Sequence, residues 1–463
     1  MNTETGSYVL NKALEVNDMR LVTNEEQTDR RINDNFILWF SLNMVITTFA
    51  MGSISEPVFN LGYWYSLVAI VTFNIIGAIP VAIYAARGSR FGLRQMLITR
   101  YSFGLKGARI IAVINSLTLI GWLIVDVVPG GQMLTSGSSG DLSTGVGILL
   151  LFVIIMLVAI FGYKYIHTYE RYAWMPMLLL FFVMVFLSAP QLNIPTIQPF
   201  NINQFSSFMT FGAAILGFSL GWTPIAADHA VYQPHETSQK AIRWRVFLGI
   251  FLSCTFLEGL GSLYAGSGAF SNAAQQGGAA IVAQIFNKYG NLGHVIMIVV
   301  AISTIAISVP VLYSASISLQ VATNYKNRIT LVMIVSIIGF IISYVARDGL
   351  NDDILNVTLI ISYWVSPWIV ILLIEDYFFN NSTYDKSIWN NSLKLPSGSA
   401  ALVAFSFGML GVYLGADQEM FQGPIAMLID PKYGMDLGFE ISGFFSAITY
   451  FFLRRANVRR KIN

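Results

Sequence analysis

Charge is what this sequence has least of. Of 463 residues only 11% are Asp, Glu, Lys or Arg, while 55% are hydrophobic and the mean hydropathy is +0.62. A soluble domain carries about a quarter of its residues as charges, so an ordinary water-soluble enzyme or binding module is excluded. Cysteine is almost absent: Cys254 alone, in an apolar run, rules out intramolecular disulfides and cysteine-based metal sites. The four histidines, His167, His229, His235 and His294, include no pair at metal-ligand spacing, and HExxH, phosphate-loop and nucleophile-elbow patterns are missing. Neither a metal site nor catalytic residues are therefore expected. The chain does not alternate polar and apolar residues as a transmembrane barrel would. The polar first 35 residues have no apolar core, so no cleavable secretion signal is expected. The net charge of +2 comes from basic residues in short loops rather than one patch, so it says nothing for nucleic acid, and no nucleic-acid partner is expected.

What the sequence does have is apolar runs of some 20 residues, recurring over almost its whole length, the mark of an all-α integral membrane protein. Twelve transmembrane helices are expected, at about 36–59, 64–86, 108–134, 145–163, 173–189, 208–229, 245–265, 293–319, 329–346, 353–374, 399–416 and 436–453. With the N-terminus cytoplasmic, 24 of the 27 Lys and Arg fall on the inner side, leaving Lys288, Arg347 and Lys432 outside. That imbalance would collapse if a span had been missed or invented midway. Residues 1–35 then form a cytoplasmic N-terminal segment, 36–453 the membrane domain, and 454–463 a basic cytoplasmic tail suited to the anionic inner leaflet. The outer segment 266–292, with GSGAFSNAAQQGGAA, is expected to dip partly into the membrane.

Helix breakers cluster in two places. Span 1, FILWFSLNMVITTFAMGSISEPVF, holds Asn43, Thr47, Thr48, Gly52 and Pro57; span 6, FGAAILGFSLGWTPIAADHAVY, holds Gly217, Gly221 and Pro224. These open two successive blocks of five spans, and interrupted helices at matching positions point to a transporter's midplane site. Span 3 carries a carboxylate, Asp126, in GWLIVDVVPGG. A central Asp costs about 2.5–3.5 kcal/mol to insert and is by default functional. Trp122, four residues earlier, shares its helical face. Simple solvation at the outer end of the helix is the competing explanation, and the eight membrane-compatible residues after Asp126 argue against it.

Four stretches, WFSLNMVITTFAMG in span 1, RGSRFGLRQMLITRYSFGLKGAR after span 2, FGYKYIHTYERYAWMP after span 4 and AADHAVYQPHE after span 6, together resemble the purine–cytosine permease branch of the nucleobase–cation symporter family 1. The resemblance runs from about residue 25 to 376, and more weakly to the last span. It implies a five-plus-five inverted repeat (36–206 and 207–376) with broken spans 1 and 6, two extra C-terminal helices (399–453), and alternating access to a central site. It further implies that Trp122 stacks on the substrate ring and that Asp126 stands where the family has an amide. Trp222 supplies a second aromatic, with Phe218 as the runner-up. On span 8 the family's proline is matched by Pro310, and Val311 replaces the asparagine that usually follows. Asn43, at the break of span 1, belongs to the same substrate-binding set.

Asp126 has three candidate roles: accepting hydrogen bonds from ring N–H or amine donors, carrying a coupling proton, or selecting a cationic substrate. Glu258 on span 7 is the other deep acid, a second ion-coupling candidate or equally a hydrogen-bond partner for a neighbouring helix. Related folds bind sodium with carbonyls of span 1, here around Asn43 and Ile46, and hydroxyls of span 8, here Ser303 and Thr304. Counted from Pro310, those hydroxyls fall about two residues short, where Ile305 and Ala306 stand, so the coupling ion, H+ or Na+, leans to the proton. Asp228 and His229 are expected at the inner end of span 6, solvated or gate-forming rather than touching substrate, His167 and His235 in loops, and His294 at the outer start of span 8.

The expected protein is a symporter of the cell membrane that imports a nucleobase or related small heterocycle, with no cofactor. Its partners are that heterocycle and the lipid bilayer, and the sequence sets no oligomeric state. A vitamin such as thiamine or pyridoxine, or a hydantoin or allantoin, is the alternative cargo. An integral-membrane enzyme would need acids, histidines or a nucleophile clustered at one depth, which Asp126 and Glu258 do not supply.

In a Cys254→Ser background, single cysteines at Ser139 and Asn201 should react with an impermeant thiol reagent added outside, and one at Ser238 should not. Outside labelling at Ser238 would overturn the span count.

Overall fold

The computed structural model describes residues 17–194, 196–197, 199–348, 360–380, 383–418, 420–432 and 434–462. The principal helices are α1 (Asp34–Asn43), α2 (Ile46–Ser53), α3 (Tyr63–Phe91), α4 (Arg100–Gly137), α5 (Thr144–Phe161), α6 (Tyr163–Ser188), α7 (Ile202–Leu220), α8 (Gln239–Ala265), α9 (Gly278–Phe286), α10 (Asn291–Thr323), α11 (Arg328–Ala346), α12 (Val365–Ile374), α13 (Ser399–Gly415) and α14 (Gly438–Ile462). The one sheet among the described residues is a small antiparallel hairpin, β1 (Asp417–Gln418) with β2 (Phe421–Gln422), in which Asp417 pairs with Gln422.

Nine described helices are long and apolar enough to cross a membrane, ten when α1 and α2, bent by 56° at their junction, count as one span. α13 is apolar but only 17 residues long, and α14 runs on into the basic tail. The expected span 353–374 begins outside the described residues. α4 and α10 lie against each other along most of their length; α1, α2 and α3 pack on α8, and α3 packs also on α7.

One boundary departs from the hydropathy reading. The stretch 164–172, expected as a loop, is the start of α6. Tyr163, Ile166, His167 and Glu170 are buried while Lys164, Tyr165 and Thr168 are exposed, a 3.6-residue alternation of polar and apolar faces that an averaged hydropathy hides. His167 is therefore a buried helix residue, not a loop residue.

α2 and α8 cross with their backbones in contact. A Cβ at Gly52 would lie 1.8 Å from the Glu258 carbonyl oxygen, and one at Gly261 would lie 2.1 Å from the Phe49 carbonyl oxygen. No side chain fits, and without one the two helices gain the close packing that holds membrane bundles together. In the segment 266–292, α9 lies against α2, with a Cβ at Gly278 only 2.7 Å from the Ala50 Cα.

Gly52→Ala should destabilise the purified protein by about 1–3 kcal/mol or more, the cost of overpacking a rigid contact, read as a lower thermal midpoint. Gly268→Ala, with open space around the added methyl, should leave the midpoint in place.

Candidate functional site

The site begins at the interruption between α1 and α2. Met44 and Val45 leave helical geometry, Val45 with φ −135° and ψ 165°. The Asn43 amide anchors the break: its Nδ2 donates to the Trp39 carbonyl at 2.8 Å, and its Oδ1 accepts from the Trp222 indole Nε1 at 3.0 Å. Trp222 follows the end of α7, where Pro224, lacking an N–H, helps to turn the chain into a tighter 3-10 helix, Thr223–His229. The Trp222 ring also meets Trp39 edge-on, centroids 5.7 Å apart.

Leu119, Trp122 and Asp126 of α4, Phe218, Gly221 and Trp222 around the end of α7, and Ile307 and Val311 of α10 enclose one cavity. The gap is narrow, with a cavity volume of about 10 Å³, room for about one water. Trp122 meets Phe218 edge-on, with centroids 5.6 Å apart and planes at 76°. The cavity is closed, aromatic on two sides and aliphatic on the third.

Asp126 is its one acid. The side chain is fully buried, and neither carboxylate oxygen has a hydrogen-bond partner among the described residues. The Thr47 hydroxyl, in the first turn of α2, lies beside it without reaching hydrogen-bonding geometry. Thr47 also lines a second, larger cavity of about 670 Å³, bounded by Met51, Val125, Pro129, Gln132, Gln204 and Gln418 among others, which opens on the face away from the N-terminal segment. Asp126 and Thr47 thus stand between a closed chamber and an open vestibule.

The opposite face is shut. Asp18, in the segment before α1, takes Arg94 at 2.5 Å and Arg328 at 3.0 Å. Arg94 also donates to the Asp228 carbonyl at 2.7 Å, and the Asp228 side chain accepts from the Gln95 N–H at 2.9 Å. All these side chains are buried, so the seal is polar but dry. Asp228 and His229 lie within this plug and not in solvent.

The structure brings together Trp122, Asp126, Phe218, Trp222 and Val311, with Asn43 bonded to the cavity wall and Pro310 one residue from it. Three further candidates stand apart. The Ser303 and Thr304 hydroxyls donate to carbonyls of their own helix, Val300 at 2.6 Å and Ala301 at 2.7 Å. Glu258 is buried on α8 and accepts from the Asn74 amide of α3 at 2.5 Å. Sequence reasoning missed Glu170 on α6, a fully buried acid facing Ser41 with neither oxygen in a hydrogen bond among the described residues. The signal was there in the buried face of HTYERY, one turn beyond His167.

Apolar membrane helices around a broken span, with an enclosed aromatic chamber beneath an open vestibule, make this a membrane permease. The chain belongs to the family of permeases for cytosine/purines, uracil, thiamine and allantoin, whose sequence pattern it matches over residues 21–416. It is 31% identical to the purine-cytosine permease fcyB of Emericella nidulans, over 94% of this chain and 87% of that one. It is 24% identical to the vitamin B6 transporter TPN1 of Saccharomyces cerevisiae, over 89% and 82% of the two chains. Its fold is that of Mhp1, a nucleobase-cation-symport-1 family transporter solved closed with bromovinylhydantoin bound, at TM-score 0.72 and 14% identity over 96% of each chain.

Trp122→Ala and Trp222→Ala should each weaken heterocycle binding about 5- to 150-fold, the equivalent of one lost base–aromatic stack. Binding within twofold of wild type in both, with the protein folded, would remove the chamber as the substrate site.

Proposed function

We propose that the protein imports a purine or cytosine-like nucleobase across the cell membrane, driven by a co-transported cation and working by alternating access, with both termini in the cytoplasm. The observation that carries this reading is the unpaired Asp126 carboxylate in an otherwise aromatic and aliphatic chamber that adjoins the vestibule. A planar heteroaromatic ring needs π-surface on its faces and a few polar contacts on its edge. Trp122, Phe218 and Trp222 offer the first, and Asp126 can accept from a ring N–H or exocyclic amine as carboxylates do with the cytosine amine.

Under this reading the vestibule is the outer entrance and the Arg94–Asp18–Arg328 plug the inner gate, so the protein faces outward, and the closed chamber must widen past Asp126 and Thr47 before a ring enters. The 24-to-3 distribution of basic residues supports that orientation. Proton coupling is the favoured drive. Asp126 is an acid with no counter-charge in the chamber, whereas Ser303 and Thr304 spend their hydroxyls on their own helix. A vitamin cargo is the second reading. It is favoured by an acid where the family has an amide, which suits a basic or cationic ring, and by the likeness to TPN1.

Uptake and binding measured from pH 5 to 8, with and without sodium, in wild type and Asp126→Asn, test the reading. Proton coupling through this residue predicts that Asp126→Asn keeps nucleobase binding but loses pH-dependent accumulation. Loss of affinity for charged ligands alone would favour the vitamin reading. Unaltered accumulation, pH profile and ligand range in the mutant would overturn both.

A further inference from the structure

We propose that Asp29, Asp34 and His167 form a binding site for a transition-metal dication of the zinc class on the face that carries the N-terminal segment. Asp29 lies in the non-helical stretch before α1, Asp34 opens α1, and His167 lies in the second turn of α6. Their ligand atoms all fall within 4.8 Å of one another. Donors around a tetrahedral ion bound at about 2.0–2.2 Å lie about 3.3–3.6 Å apart, so side-chain rotations of about an ångström close the set around an ion.

The independent observation is the state of the imidazole. His167 is only 3% exposed, and Tyr163 stacks on its ring at 4.0 Å, fixing its plane. Yet neither ring nitrogen has a hydrogen-bond partner among the described residues, and one buried Asp29 oxygen is equally idle. Buried polar groups are nearly always satisfied. A neutral imidazole beside two carboxylates has a lone pair to give and nothing to receive it, and a metal cation is the species that all three groups accept. One imidazole with two carboxylates suits zinc, manganese, cobalt or nickel, whereas magnesium and calcium prefer all-oxygen shells.

The charges around the cluster decide the competition. Arg31 lies 3.1 Å from Asp29 and 3.3 Å from Asp34, and Arg171 lies 2.7 Å from Asp34. The Arg31 side chain is 52% exposed, and ion pairs at such exposure contribute little. A dication therefore displaces Arg31 outward while Arg171 remains. Glu170, a turn deeper, faces Ser41, and His229 stands behind with its ring centroid 6.2 Å from that of His167. The bound ion would tie the entry of α1 to α6. It would hold this face shut at the helix whose far end carries the Asn43 break, so the metal would act as a brake on opening.

The test is titration of the purified full-length protein with Co2+, followed by its visible absorption, and with Zn2+ by calorimetry, each in an excess of Mg2+. One equivalent should bind with micromolar affinity. His167→Ala and Asp29→Asn should each weaken binding at least tenfold, and Arg31→Ala should tighten it several-fold by removing the competing cation. Asp29→Asn, at the rim, carries the test if His167→Ala fails to fold. Binding that survives in Asp29→Asn and His167→Ala, weakens in Arg31→Ala, or is abolished by Mg2+ would overturn the site.

Discussion

The interruption of the first span has to be satisfied without water, and the chamber is built from the way this is done. In the hydrocarbon region every backbone polar group needs an internal partner, and irregular backbone is tolerated only where protein buries it or a cavity lies beside it. The Asn43 amide meets both conditions. It returns a hydrogen bond to the Trp39 carbonyl of its own helix and accepts the Trp222 indole, which follows α7 where that helix gives way to a 3-10 turn. One side chain therefore fixes two helix ends relative to each other. Beyond the break, the glycine contact between α2 and α8 sets the depth of α2, and with it the position of Thr47 beside Asp126. The carboxylate, the aromatic wall and the vestibule floor all follow from that chain of contacts.

The two faces of the bundle are closed by different chemistry. On the vestibule side the barrier is thin: the Asp126–Thr47 contact and the edge of the aromatic chamber. On the other side it is an ionic plug in which a single acid, Asp18, holds two arginines from separate helices. Nearby, Arg87 pairs with Asp376, and Glu375 takes Arg454 of α14 through two nitrogens at 2.8 and 2.6 Å as well as the Tyr450 hydroxyl. Buried ion pairs have little net stabilising effect but are costly to break one partner at a time. Such a plug gives up its contacts together or not at all, which suits a gate with two discrete positions.

Much of the bundle was legible because hydropathy is summed over many positions and survives local error. The start of α6 was not, since its buried face alternates with Lys164 and Thr168 and averages to a loop. The pairing of Trp122 with Asp126 could be read from a spacing of four on one helix. The bond from Asn43 to Trp222 could not, because it joins residues 179 positions apart. Both deep acids named from the sequence are buried, but only Asp126 lines the chamber; Glu258 spends its contact on Asn74 of a neighbouring helix. Charge at depth marks a residue as costly, and only geometry separates a chamber wall from a helix-to-helix bond.

If the chamber is the substrate site, as proposed, its donor and acceptor inventory bears on the cargo. Ionised Asp126 accepts and does not donate. Val311 and Ile307 offer nothing polar, and the Trp222 N–H is already given to Asn43. A ring bound there must therefore turn an edge rich in N–H groups toward α4, and an edge rich in carbonyls would find no donor on the α10 side. Amino-substituted rings are matched better than dicarbonyl ones. Protonation changes the inventory at the same atoms, for a neutral carboxyl both donates and accepts. If Asp126 carries the coupling proton, the proton and the ligand's polar edge then meet at one side chain. The choice of substrate and the choice to move become one chemical event, without any pathway linking two distant sites.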